Sequence, residues 1–295
     1  MGEPSRGGAS SAGGPDAASP GHLRRLLAEI LDPVPSHPAA HGFVRGRSAV
    51  TNAEEHVGAE VVISMDLRHF FAAITAGRAY GLFRMMGYPE PVAHSLACLV
   101  SNRVPGPVLA RMPPGGDPSA RHRLRAWLRA SHLPQGAPTS PSLANLACFT
   151  LDARLAGYAA TIGARYSRYA DDLTVSGSAE LRSCAPRFVG AVTTIAAEEG
   201  FVVHSRKTRV QPRSGRQQVT GIVVNSTLGL PRAEYDRLRA ILHDARSNGP
   251  ETANREGHPE FRAHLFGRVG WVESVNPGRG RRLRAELEAI AWPDP

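Results

Sequence analysis

The segment Tyr169-Ala170-Asp171-Asp172 sets two adjacent carboxylates between β-forming runs, with Tyr166 and Tyr169 before them and Leu173, Thr174 and Val175 after. That pattern predicts a strand, a tight acidic turn and a second strand. Neighbouring acids at a hairpin tip repel each other, and a divalent cation there would offset the repulsion. Carboxylate oxygens are the ligands Mg²⁺ prefers. A third acid, Asp66, closes the apolar run Val61-Val62-Ile63-Ser64-Met65. Three carboxylates at strand ends could hold the metal pair of a nucleotidyl-transfer site, with two ions about 3.5–4 Å apart. The plain alternative is a solvated Asp-Asp turn.

A second chemical signal is Lys207, the only lysine in a chain with 35 Lys and Arg. Guanidinium stays charged under all conditions, whereas an ammonium can release a proton. Chance retention of one lysine is the bland reading.

The elements that must position these groups are legible in outline. Residues 1–21 are mostly Gly, Ser, Ala and Pro and are expected to be a disordered leader. Leu23, Leu26, Leu27 and Ile30 have helical spacing, and Pro33, Pro35 and Pro38 end that helix. Short helices are expected at 51–56, 82–86 and 92–100, a loop at 104–120, and one long helix at 142–160. A helix at 181–199 should stop at Gly200. Strands are expected at 61–66, on both sides of the acidic turn, at 201–203 and at 218–225. From Pro231 onward the pattern is helical, at 234–245, 261–275 and 281–290.

Bulk properties set bounds. The chain has 295 residues and 42% apolar content, enough for one large domain or two small ones. A net charge of +9 suits a polyanionic partner, although an arginine-rich composition alone would give the same number. Cys98, Cys148 and Cys184 form no Cys-x-x-Cys pair, which points to a reducing cytoplasm with neither a disulfide framework nor a zinc site. No apolar run approaches the ~18 residues of a membrane span. A cytoplasmic protein without a membrane partner is expected.

The ordered blocks His41-Gly42-Phe43 with Gly46-Arg47-Ser48, Asn52-Ala53-Glu54-Glu55-His56, Met65-Asp66-Leu67-Arg68-His69-Phe70-Phe71, Leu133-Pro134-Gln135-Gly136-Ala137-Pro138, Tyr169-Ala170-Asp171-Asp172, Gly200-Phe201 with Lys207-Thr208, and Val219-Thr220-Gly221 resemble reverse transcriptases of the bacterial retron type. The resemblance implies an α+β right-hand polymerase: an antiparallel palm sheet backed by helices, reduced fingers and a C-terminal helical thumb. It implies a leader at 1–21, a fingers remnant at 22–56, a palm with inserted fingers helices at 57–228, and a thumb at 229–295. It also implies RNA-directed DNA synthesis with Mg²⁺ and dNTPs on a structured noncoding RNA of msr-msd type, giving msDNA, with a possible effector protein and a role in phage defence. By the same resemblance Asp66, Asp171 and Asp172, with the Leu67 carbonyl, hold the metal. Lys207 lies near the leaving pyrophosphate. Phe71 is the gate against a ribose 2′-OH, with Phe70 in the core. Gln135 and Gly136 face the template or nascent base pair. Asn52, His56, Val219, Thr220 and Gly221 are associated with the cognate RNA. Arg279, Arg281, Arg282 and Arg284 could grip phosphates or simply be solvated. The other readings are a non-catalytic RNA-binding module of the same fold and a group II intron-like reverse transcriptase.

Overall fold

The computed structural model describes residues 19–113, 115 and 117–292. In chain order its elements are α1 (Pro20–Leu26, prolonged by a π turn Leu27–Leu31), α2 (Ala49–Glu54), β1 (Val61–Asp66), α3 (Ala76–Met85), α4 (Glu90–Val100), α5 (Gly106–Ala110), α6 (Pro118–Arg129), α7 (Ser140–Ala147), α8 (Phe149–Ala160), β2 (Arg165–Tyr169), β3 (Asp172–Gly177), α9 (Ala179–Glu198), a 3₁₀ turn (Ser205–Lys207), β4 (Arg209–Pro212), β5 (Gln218–Val219), β6 (Ile222–Val223), α10 (Arg232–Asn248), α11 (Pro250–Ala253), α12 (Phe261–Val275) and α13 (Pro277–Glu288). The chain divides into two compact units. One comprises the described residues up to Ser36 together with those of His69–Cys148; the other comprises His37–Arg68 and the described residues from Phe149 on. Residues 229–292, expected as a thumb, thus fall in the same unit as the sheet.

The larger unit is built on a four-stranded antiparallel sheet in the order β2-β3-β1-β4. β1 is central, and its residues Val61, Val62, Ile63 and Met65 are almost wholly buried. An apolar run broken only by Ser64 suits a strand covered on both faces. Val62 belongs to a cluster with Ala53, Val219, Ile222, Val224 and Val275, which seats α2, the β5–β6 hairpin and the end of α12. α9 packs on β1, β3 and β4, and α8 packs on β2 and α9, where the Tyr158 and Phe188 rings stack at 4.9 Å. The C-terminal helices close on Leu238, Leu242 and Ala245 of α10, Leu265, Val269 and Val272 of α12, and Leu283 and Leu287 of α13. Those spacings are the i, i+4, i+7 stripe of an amphipathic helix.

The smaller unit is helical. α3 and α4 pair, α7 rests on α3, and Arg78 donates to the Ala147 carbonyl at 2.9 Å. Among the described residues no helix is long and apolar enough to cross a membrane.

Several sequence expectations need correction. The expected loop at 104–120 contains α5 and the start of α6, whose first turn is capped by the Asp117 carboxylate. Prolines at the first helical turn start helices as readily as they break them. The expected long helix at 142–160 is two helices meeting at Cys148. Residues 201–203 form only a single bridge, Leu67 to Val203, whereas β4 at 209–212 was not expected at all. Residues 218–225 are a hairpin, not one strand. Ser19 is the N-cap of α1, and Pro20 and Gly21 open it; the rest of the expected leader, residues 1–18, lies outside the described residues.

Candidate active site

Antiparallel pairing of β1 with β3 aligns Asp66 with Asp172, the last matched positions of the two strands. β2 pairs with β3 so that Tyr169 faces Asp172, leaving Ala170 and Asp171 as a two-residue turn. The Leu67 N–H donates to the Asp171 carbonyl at 2.9 Å, so the strand carrying the first acid also holds the turn carrying the second. Ala170 adopts φ 56°, a left-handed conformation that costs a side-chain-bearing residue about 1–2 kcal/mol. Gly42 lies against this turn: a Cβ there would stand 2.4 Å from the Ala170 nitrogen. Residues 39–41 run beside β2, with a parallel bridge from Ala40 to Arg168, and so bring Gly42 to the same end of the sheet as the acids.

Lys207 reaches this cluster from the 3₁₀ turn. The His204 N–H donates to the Asp66 carbonyl at 2.7 Å, and the Lys207 N–H to the His204 carbonyl at 2.9 Å. Lys207 Nζ then pairs with Asp66 Oδ2 at 2.9 Å, although the lysine side chain remains 60% exposed. That hydrogen bond and the Asp66 charge hold the ammonium above its ordinary pKa, with Asp171 and Asp172 adding to the effect.

The acids perturb one another as the register requires. Burial raises the Asp171 carboxyl and Asp66 adds to it, against the Asp171 N–H and Lys207, which lower it. Asp172 is an exposed residue at the sheet end, yet desolvation of its carboxyl, then Asp171 and Asp66, push it up to about 6. Oxygens that repel in this way are a suitable donor set for a hard divalent cation. The Lys207 ammonium already stands at Asp66 where positive charge is favoured. The residues therefore fit a hard divalent cation by type, register and electrostatics. They are not a preformed cage: among the described residues no group of three or more His, Cys, Asp or Glu side chains is arranged to hold a metal ion. A polar cavity of about 380 Å³ extends from Asp66, Asp172 and Lys207 past Arg209 and Gln211 to Gln218, Thr220 and Gly221.

A family model described as "Reverse transcriptase (RNA-dependent DNA polymerase)" matches residues 21–223. Retron Ec86 reverse transcriptase of Escherichia coli is 34% identical over 259 residues, 88% of this chain and 69% of that protein. The chain belongs to the reverse transcriptases, and within them to the bacterial retron type. Two Myxococcus xanthus proteins are also similar to this retron-type chain: Retron Mx65 reverse transcriptase, 43% identical over 88% of this chain and 57% of that protein, and Retron Mx162 reverse transcriptase, 36% identical over 90% and 55%. The chain thus spans a little over half the length of these two relatives.

Other expected site residues of the retron-type chain are placed differently. Phe70 is buried and Phe71 half-buried, their rings edge to face at 5.3 Å. Gln135 and Gly136 are exposed in the turn before α7, with Gly136 at φ 95°. All four belong to the smaller unit.

The expectation that Asn52 and His56 present polar groups to RNA is corrected. Both are buried. His56 Nδ1 bonds Ser176 Oγ and His56 Nε2 bonds Ser167 Oγ, each at 2.7 Å, while Ser167 Oγ donates to Asn52 Oδ1 at 2.7 Å. These residues fasten α2 to β2 and β3. Burial, with His41 and Arg165 adding, lowers the His56 pKa to about 3, so the imidazole is neutral. Val219 is likewise a core residue. Thr220, at φ 49°, donates its hydroxyl to the Ala49 carbonyl at 3.1 Å, and Gly221 is exposed, at φ 83°.

Sequence reasoning missed Asp152 and Arg168. Both side chains are completely buried and paired, with Nη2 to Oδ2 at 2.7 Å and Nε to Oδ1 at 2.8 Å. The available signal was an arginine facing inward on a strand, two positions before the turn.

Proposed function

We propose that this chain is an RNA-directed DNA polymerase that copies part of a structured noncoding RNA into single-stranded DNA, as in msDNA synthesis by retrons. The observation that carries the reading is the alignment of Asp66 with Asp172, with Asp171 in the adjoining turn and Lys207 bonded to Asp66. Asp66, Asp171 and Asp172 would hold Mg²⁺. Bound there, a pair of such ions would activate the priming hydroxyl and stabilise the departing pyrophosphate. The chain's own groups do the rest. Lys207 Nζ, which pairs with Asp66, would neutralise the pyrophosphate and give it a proton. Phe71 would exclude a ribose 2′-OH, and Gln135 and Gly136 would contact the nascent base pair. Thr220 and Gly221, at the far end of the polar cavity, would touch the nucleic acid.

The names of the similar proteins support a retron RNA as template. Priming from an internal guanosine 2′-OH, an effector protein and a part in phage defence extend that reading. The rival reading is an RNA-binding module of the same fold without turnover. Incubation with the transcript encoded beside it, Mg²⁺ and labelled dNTPs tests the proposal. A DNA product from the wild type that is lost in Asp171→Asn is expected; RNA binding without product from the wild type would establish the rival.

A further inference from the structure

Beneath the acidic turn lies a buried charge pair that the proposed chemistry does not use. Arg168 of β2 and Asp152 of α8 meet in a bidentate pair, and Tyr166 donates its hydroxyl to Asp152 Oδ1 at 2.8 Å. An ion pair excluded from water adds little stability over well-packed apolar residues of similar volume, so holding α8 on β2 does not by itself require one. The guanidinium has a further task. Its Nη1 donates to the Ala170 carbonyl at 3.0 Å.

That carbonyl is one half of the Ala170–Asp171 peptide. The other half is the Asp171 N–H. The next carbonyl, Asp171 O, accepts from the Leu67 N–H at 2.9 Å. Both peptides flanking Asp171 are therefore held, one by Arg168 and the other by the strand that carries Asp66. Ala170 needs this bracing, because a left-handed alanine persists only where its surroundings over-determine it. The Arg168 backbone is anchored in turn: its N–H donates to Ala39 O at 2.8 Å and its carbonyl accepts from His41 N–H at 2.7 Å.

We infer that Asp152 and Arg168 are a positioning pair: the carboxylate aims the guanidinium at the Ala170 carbonyl, and the guanidinium fixes the orientation of Asp171 toward the cation and the reacting groups. The inference rests on the polymerase reading for its meaning, but its test does not depend on turnover alone. Arg168→Lys keeps the charge and loses the planar fork, so it cannot hold Asp152 and Ala170 together. Mn²⁺ binding to the full chain, followed by electron paramagnetic resonance, should weaken by about 10–100-fold, the usual cost of losing a group that orients a metal ligand. kcat for DNA synthesis should fall alongside it, while RNA affinity stays at the wild-type level. Asp152→Asn and Tyr166→Phe, which preserve shape, should move Mn²⁺ affinity in the same direction by smaller factors, and they serve if Arg168→Lys does not fold.

Folded variants with a lower melting temperature but wild-type Mn²⁺ affinity and kcat would overturn the inference and leave the pair a purely structural tie. A wild type that binds Mn²⁺ but makes no DNA would sink the polymerase reading and leave the metal titration to judge the pair. A wild type with no Mn²⁺ affinity would overturn both.

Discussion

His56 offers a direct test of the claim that the Asn52–His56 block is scaffold and not an RNA contact. The imidazole is 1% exposed, both ring nitrogens are bonded to serine hydroxyls, and the pKa lies at about 3 against an ordinary 6.5. A histidine with a depressed folded pKa contributes stability that is complete above 6.5 and is lost as pH falls toward the folded value. Between pH 7.5 and 4.5 the unfolded chain takes up a proton here that the folded chain refuses. The two units from 6.5 to 4.5, at about 1.36 kcal/mol each, make that loss about 2.7 kcal/mol. Urea unfolding of the wild type and of His56→Gln at both pH values isolates it. Other titrating groups contribute equally to the two proteins, and the hydrogen bonds lost in the variant shift both of its measurements alike. The wild type should lose about 2.7 kcal/mol more than His56→Gln on acidification. Parallel pH dependences for the two proteins would refute the buried, neutral imidazole. Weakened RNA binding by a fully folded His56→Gln chain at pH 7.5 would restore the direct contact.

Three further outcomes are expected. Gly280→Ala would set a Cβ 2.2 Å from the Glu273 Cα and 2.7 Å from its nitrogen, so α12 and α13 must separate; chemical denaturation should show a loss of about 1–3 kcal/mol, and wild-type stability would contradict the close approach. Gly42→Ala would press on the Ala170 nitrogen and displace the acidic turn; DNA synthesis should fall much further than the melting temperature, and unchanged synthesis would separate residues 41–43 from the site. Asp172 has a folded pKa raised from 3.8 to about 6, so its contribution to stability is present below 3.8 and is lost as pH rises through 6. In metal-free protein Asp172→Asn should therefore be the more stable form above pH 6, by no more than about 1 kcal/mol given the screening of an exposed group, with the advantage fading below pH 4; a constant offset at all pH values would argue against the shift.

The amino-acid sequence alone determined the local chemistry. An Asp-Asp pair between two β-forming runs, an acid closing a mostly apolar strand and the helical pattern after Pro231 are signals carried by neighbouring residues, and each leads to the element it implies. Gly200, at φ 80°, ends α9 as its position suggests. What the sequence could not decide was which polar residues face inward. Asn52, His56, Ser167 and Ser176 are bound together across 111 to 120 positions of chain, and Asp152 meets Arg168 only because α8 lies on β2. Burial of a polar side chain depends on partners that arrive from elsewhere, so residue type predicts a surface contact where the fold has made a core bond. The same holds for the site itself. Asp66 and Asp172 stand side by side because antiparallel register, set by the hydrogen bonds of two whole strands, brings the end of one to the start of the other.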